Sequence, residues 1–374
     1  MKSYQISLLL ALPLMLFFGF HMLSARTPDS RTYRGFLLSR RLMGTALLLL
    51  SVNYSVHLYC GIRQKDLSTT ILMNLATYFL CYWLFSSSLM TLLVRAYITV
   101  RRFVTHILLW VVYCLSAFVV LIKFHDSIIS RYGLFLLAMC VVAYGLFLSY
   151  RLLRTYYRAV RMFDNTHSDN IGAYIRWLSI FTWWAIIFGV SCALLTFLPD
   201  RYIYLWILSS IPFYIYLYCC YQNYMLFYEK VENAISDDCT ISTDDNITLQ
   251  LQDTTICENN SPAYHAEIAR RIEEWKAADK FCRLGLTLQE MAAELGTNRT
   301  YLSEYINTTC HVTFREWIAS LRIDYSKRMM QRHPKMRMLD ISKASGYLSL
   351  SNFTSTFKEK EGCSPSNWKK NNVF

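Results

Sequence analysis

Charge is what this 374-residue chain has least of: Asp, Glu, Lys and Arg make up 17% of it, against about 25% in soluble domains. The shortage lies almost wholly before Tyr228, where apolar residues run in long blocks; beyond it charge density rises. The two parts are therefore built for different solvents. The twelve cysteines form no CxxC pair, which removes the usual zinc and dithiol frameworks and leaves small apolar side chains in a reducing compartment. No repeat of roughly 20–50 residues is present, which excludes a solenoid. The apolar part holds no cluster of metal ligands, no nucleophile beside a base and no phosphate-binding glycine loop. Nothing calls for a cofactor or for enzymatic chemistry.

What is present begins with seven apolar spans: Ile6–Ser24, Leu42–Cys60, Thr70–Val94, Phe103–Phe124, Gly133–Tyr150, Trp177–Leu198 and Tyr202–Tyr224. A helix needs about 20 apolar residues to cross ~30 Å of hydrocarbon. Thirteen basic residues fall in one set of connecting segments (Arg26, Arg31, Arg34, Arg40, Arg41; Arg95, Arg101, Arg102; Arg151, Arg154, Arg158, Arg161, Arg176). The alternate set has six: Lys2, Arg63, Lys65, Lys123, Arg131 and Arg201. Because Lys and Arg concentrate on the cytoplasmic side, the N-terminus is expected outside a bacterial inner membrane and the C-terminus in the cytoplasm. A cleaved signal peptide over the first span would reverse both placements against the charge rule. Polar groups within the spans are few: Asn53, His57, Asn74, Ser86, Ser87, Ser88 and His106. The two histidines lie near span ends, where interfacial water is expected to hydrate them. The many Tyr and Trp residues fit an interfacial belt or packing.

Residues 229–262 change character. Acidic residues are spread among Ser, Thr and Asn with Lys230 as the one basic group, a composition that predicts a flexible acidic linker. It separates a membrane domain over 1–228 from a basic domain over 263–374, where eighteen Lys and Arg face twelve Asp and Glu. A basic soluble domain suits nucleic acid or an anionic surface.

That last domain reads as helices throughout. Ile268, Ile272 and Trp275 recur at helical spacing. Thr287 and Glu290 make a capping box before a helix that stops at Gly296, and Asn298 caps the next one. On this second helix Leu302, Tyr305 and Ile306 share one face, while Thr300, Ser303, Glu304 and Asn307 share another. Short polar side chains on one helical face suit close approach to base edges; alone, the pattern fits an ordinary solvated face better. A long helix follows, with Phe314, Trp317, Ile318, Leu321 and Tyr325 as its apolar stripe and Pro334 at its end. The arrangement then repeats: Leu339–Ser345, a turn at Gly346, and a helix from Ser349 to Lys360. Phe353 and Phe357 are its inner residues, and Ser351, Asn352, Ser355 and Lys358 its outer ones. Ser364-Pro365 starts a last helix.

Several of these residues also carry a resemblance. The run 286–292 (Leu-Thr-Leu-Gln-Glu-Met-Ala), Tyr301-Leu302-Ser303 and Leu321-Arg322 resemble the first half of an AraC-family DNA-binding domain. Asp340-Ile341, Gly346-Tyr347, Ser351-Asn352-Phe353, Phe357-Lys358, Gly362 and Ser364-Pro365-Ser366 resemble its second half. Ser342, Cys310 and Glu304 depart from the family's usual Ala, Gly and basic residue. The resemblance covers residues 264–370 and implies two helix-turn-helix units joined by a long helix, each with a recognition helix for the major groove. The residues expected at DNA are Asn298, Arg299, Thr300, Ser303, Glu304 and Asn307 in the first unit. In the second they are Ser349, Ser351, Asn352, Ser355 and Lys358.

The expected protein is thus all-α: a seven-helix transmembrane bundle, then a double helix-turn-helix domain that regulates transcription. Its expected partners are double-stranded DNA and the lipid bilayer. A second copy of the chain, a small apolar ligand and a membrane-protein partner are candidates for the signal. A membrane enzyme or transporter with a regulatory helical domain is the alternative, but it requires paired ionisable groups that the spans lack. A helical module that binds protein instead of DNA is a third; salt-dependent binding of duplex DNA separates it from the first.

Overall fold

A computed structural model describes residues 3–27, 31–94, 96–123, 128–197, 200–237 and 262–373. Among these residues there is no β-strand, and the chain is helical as its patterning predicts. In order, the helices of the apolar part are α1 (Ser3–Ser24), α2 (Arg34–Ser55), α3 (Ile62–Lys65), α4 (Leu67–Thr91), α5 (Val100–Lys123), α6 (Ile128–Thr166), α7 (Gly172–Leu195), α8 (Asp200–Met225) and α9 (Tyr228–Asp237). Those of the basic part are α10 (Pro262–Ala277), α11 (Leu288–Leu295), α12 (Arg299–Cys310), α13 (Phe314–Arg332), α14 (Met338–Ala344), α15 (Leu350–Glu361) and α16 (Pro365–Val373). Two compact units result, one of residues 1–158 with 174–244, the other of 159–173 with 245–374.

Seven helices of the first unit (α1, α2, α4, α5, α6, α7 and α8) are long and apolar enough to cross a membrane. Their outward surface explains why water is the wrong solvent. On α5 alone Leu108, Val112, Leu115, Phe118 and Ile122 are exposed, and Leu9, Phe17 and Phe20 are exposed on α1. Contiguous apolar surface on this scale is rare on soluble proteins; hydrocarbon solvates it without penalty. Between helices the packing follows the membrane rule that small residues bring backbones together. Where α1 crosses α2, a Cβ on Gly44 would lie 3.0 Å from the Gly19 carbonyl oxygen and 3.1 Å from the Met22 side chain. Pro13 inside α1 and Pro212 inside α8 are likewise tolerated in membrane helices.

Three features differ from the sequence expectation. First, α6 has 39 residues and continues sixteen positions past Tyr150 to Thr166. At 1.5 Å per residue it measures roughly 58 Å, about twice a hydrocarbon core. Apolar content ends near Tyr150, but helix-forming Leu and Arg carry the helix on, with Leu152, Leu153, Tyr156, Ala159 and Phe163 buried along one stripe. Second, the segment read as linker begins as helix: α9 runs to Asp237, with Val231, Ala234 and Ile235 buried. The remainder of that segment, up to Ser261, lies outside the described residues. Third, His57, expected at a hydrated span end, is buried. It sits in a π-helical turn, Val56–Cys60, and its Nε2 is 2.8 Å from Asn74 Oδ1. Asn53 donates to the same oxygen, and Asn74 donates to Thr196 Oγ1 at 2.9 Å. His106 is half-buried and meets the Tyr144 hydroxyl at 2.8 Å.

Candidate nucleic-acid interface

The second unit is organised by two separate apolar cores on one long helix. The first gathers Ile268, Ile272 and Trp275 of α10 with Leu288, Met291 and Leu295 of α11, Leu302 and Ile306 of α12, and Phe314 and Ile318 of α13. The second gathers Ile323 and Met330 of α13 with Ile341 of α14, Tyr347, and Phe353 and Phe357 of α15. Each core therefore holds one helix-turn-helix against α13, the first made of α11 and α12, the second of α14 and α15.

Local chemistry sets the ends of these helices. Thr287 accepts from the Glu290 amide, and Glu290 Oε2 accepts from the Thr287 amide at 2.9 Å, completing the box. Thr313 and Glu316 do the same for α13. The two turns are glycine turns in the left-handed region, Gly296 (φ +66°) and Gly346 (φ +81°). The two second helices start alike: Asn298 Oδ1 accepts from the Tyr301 amide at 2.7 Å, and Ser349 Oγ from the Asn352 amide at 3.2 Å. Asn298 and Ser349, both expected at DNA, thus have an N-cap role of their own. At the end of α12 the left-handed residue is His311 (φ +55°), while Cys310 remains helical. The departure from glycine at Cys310 is therefore harmless, and the conformational cost falls one residue later. His311→Gly is expected to stabilise the first unit by about 1 kcal/mol, read as slower amide exchange across α11 and α12; faster exchange would contradict it.

The remaining candidates divide by exposure. On α12, Thr300, Glu304 and Asn307 are exposed and Arg299 and Ser303 half-buried, with Asn307 Nδ2 3.4 Å from Ser303 Oγ. On α15, Ser351, Ser355 and Lys358 are exposed and Asn352 half-buried. The opposite faces are closed by Leu302 and Ile306, and by Phe353 and Phe357. Both second helices thus present short polar side chains outward from an apolar anchor, the form that lets a helix approach base edges in a major groove.

One residue that sequence reasoning left unused holds the two cores together. Arg322, midway along α13, is 1% exposed. Its Nε donates to the Phe281 carbonyl at 2.9 Å and its Nη2 to the Arg283 carbonyl at 2.7 Å, ahead of the first helix-turn-helix. The same guanidinium lies 5.6 Å from the centre of the Tyr347 ring, in the turn of the second. Burial lowers its pKa, and the Asp169 carboxylate works against that shift. Burial also pushes the neighbouring Cys282 thiol up to about 12, with Asp279 adding to the shift. The Leu321-Arg322 pair was visible only as part of a resemblance; an arginine on an otherwise amphipathic helix reads as a solvated charge.

Two helix-turn-helix units on a shared helix define the second unit as a helix-turn-helix domain. Comparison with known proteins agrees: residues 291–371 match a family model described as a helix-turn-helix domain. The chain is similar to the virulence regulon transcriptional activator VirF of Yersinia enterocolitica, 33% identical over 82 residues, which is 22% of this chain and 30% of the relative. It is similar to the thermoregulatory protein LcrF of Yersinia pestis to the same extent, 33% over 82 residues. With the HTH-type transcriptional regulator ExsA of Pseudomonas aeruginosa it shares 28% identity over 95 residues, 25% of this chain and 30% of the relative. The chain thus spans about a third of the length of these curated relatives, and the similarity lies in a quarter or less of its own. No solved structure matches it.

Proposed function

We propose that this chain is a membrane-embedded transcription regulator that reads duplex DNA through α12 and α15. The observation that carries the reading is the duplicated geometry: two N-capped helices, each anchored by its own core, with short polar side chains exposed on the outer face. The similarity to transcriptional regulators over the same residues supports it, as does the excess of Lys and Arg in the C-terminal part. The basic bias of alternate loops supports an outside N-terminus and a cytoplasmic DNA-reading domain. The bundle acts as more than a tether. A cavity of about 100 Å³ lies between α2, α4, α6, α7 and α8, lined by Tyr54, Tyr78, Tyr82, Phe181, Phe213 and Tyr214 among others. Its walls carry no charged side chain, so its occupant would be small, uncharged and largely apolar, on the scale of a single aromatic ring.

The test is binding of duplex DNA by the full chain in lipid nanodiscs. Counterion release makes log K fall with log salt, with a slope of about −0.9 for each phosphate neutralised. Thr300→Ala or Asn352→Ala should alter sequence preference by roughly 1–3 kcal/mol where the side chain meets a base edge. Lys358→Ala should weaken all sequences alike and reduce the salt slope by about 1. Absence of binding at low ionic strength would sink the reading and favour a protein-binding module. Reporter fusions after Lys123 and Leu195 should report from outside the membrane and fusions after Thr91 and Tyr150 from the cytoplasm; the reverse pattern would rule out a cytoplasmic reader.

A further inference from the structure

The helix-turn-helix unit contains a segment from the membrane part of the sequence. The last turns of α6 and the loop before α7, residues 159–173, fold with the DNA-reading helices. The contacts are several and varied in kind. Asp164 Oδ1 lies 2.6 Å from Arg315 Nε in the first turn of α13. His167 forms an antiparallel bridge with Thr287, and the Ser168 amide donates to the Leu286 carbonyl at 3.0 Å. Arg322 Nη2 donates to Ser168 Oγ at 3.3 Å, and its Nη1 lies 3.6 Å from Asp169 Oδ1.

Each of these partners sits at a joint of the domain. Leu286 and Thr287 lead into α11, and Thr287 is its N-cap. Arg315 is at the start of α13. Arg322 touches both cores, through the Phe281 and Arg283 carbonyls on one side and Tyr347 on the other. A guanidinium this deeply buried needs a carboxylate, and Asp169 supplies it. None of these contacts uses the polar faces of α12 or α15.

We propose that residues 159–173 are a clip that docks on the surface formed by Leu286-Thr287, Arg315 and Arg322, and that the docked clip is the DNA-competent arrangement. Docked, the clip completes the charge pairing of Arg322 and so sets one helix-turn-helix against the other, while leaving both recognition faces open. Reading two successive major grooves requires a fixed separation of about 34 Å between the two helices; a loosened clip relaxes that separation. The helices that lead into and out of the clip are the membrane helices α6 and α7, so a displacement of either one pulls on it. This inference rests on the DNA-reading function proposed above.

The experiment uses the full chain in nanodiscs with two readouts, amide exchange at Ser168 and Thr287–Met291 for docking, and fluorescence anisotropy with duplex DNA for reading. Protection of the α16 amides serves as the folding control. Asp164→Arg should speed exchange at Ser168 at least tenfold and weaken DNA binding about tenfold. Combining it with Arg315→Asp, which restores the pair with its charges exchanged, should recover most of both. Unchanged exchange in Asp164→Arg would overturn docking. Lost protection with unchanged or tighter DNA binding would overturn the competent-state assignment, as would a double variant that recovers nothing. If the wild-type chain binds no duplex, the regulator reading fails and the clip's role fails with it, while the exchange data still report whether the segment docks.

Discussion

Gly346→Ala is expected to destabilise the second helix-turn-helix unit by about 3 kcal/mol or more. Two costs add. A residue with a side chain pays about 1–2 kcal/mol for the left-handed conformation that Gly346 adopts at φ +81°. The new Cβ would also land on the backbone carbonyl of Cys282, which is held in place by the core around Phe281 and cannot swing aside; overpacking of this kind costs about 1–3 kcal/mol. Gly362→Ala is the control. Its φ of +74° carries the first cost, but nothing lies within 4 Å of its would-be Cβ, so about 1 kcal/mol is expected. Amide exchange over α14 and α15 measures the difference, and equal effects at the two positions would refute the close approach at Cys282.

Arg322→Ala is expected to cost about 3–5 kcal/mol, the range for breaking a buried ionic cluster from one side. It would strand the carbonyls of Phe281 and Arg283 and take the guanidinium away from the Asp169 carboxylate. The substitution should raise exchange in both cores, because Arg322 reaches the approach to α11 and the turn before α15. Arg322→Lys should rescue little, since an ammonium is a point charge and lacks the planar fork that meets two carbonyls at once. A loss confined to one core would show that the residue serves only that core.

Much of the helix-turn-helix unit was legible because its signals are local. The Thr287–Glu290 box, the Asn298 cap, the glycine turns and the apolar pairs on α12 and α15 each involve residues no more than four positions apart, the range over which sequence spacing maps onto a helix face. The seven spans were legible for the same reason, as runs of uniform polarity. The clip was not. Asp164 and Asp169 read as ordinary charges in a connecting segment, and their partners lie some 150 residues on. The length of α6 was also missed, because hydropathy reports where hydrocarbon ends and not where a helix ends. The pairing of His57 with Asn74 and, through it, Thr196 depends on which helices become neighbours, and spacing says nothing of that.

The division of the helix-turn-helix unit into two cores along α13 has a consequence for synthesis. The first core draws its α13 contribution from Phe314 and Ile318, in the opening turns of the helix. All of its members are therefore polymerised before α14 is made, and they leave the exit tunnel ahead of the second core. Chains emerge N-terminus first, at about 5–20 residues per second, and folding units close as they become complete. The first helix-turn-helix can thus be finished while the second is still being translated. The second then condenses on the remaining surface of α13, around Ile323 and Met330. A chain released with its end just after α13 would be expected to carry one formed helix-turn-helix and an exposed apolar stripe, the kind of surface that chaperones and proteases recognise.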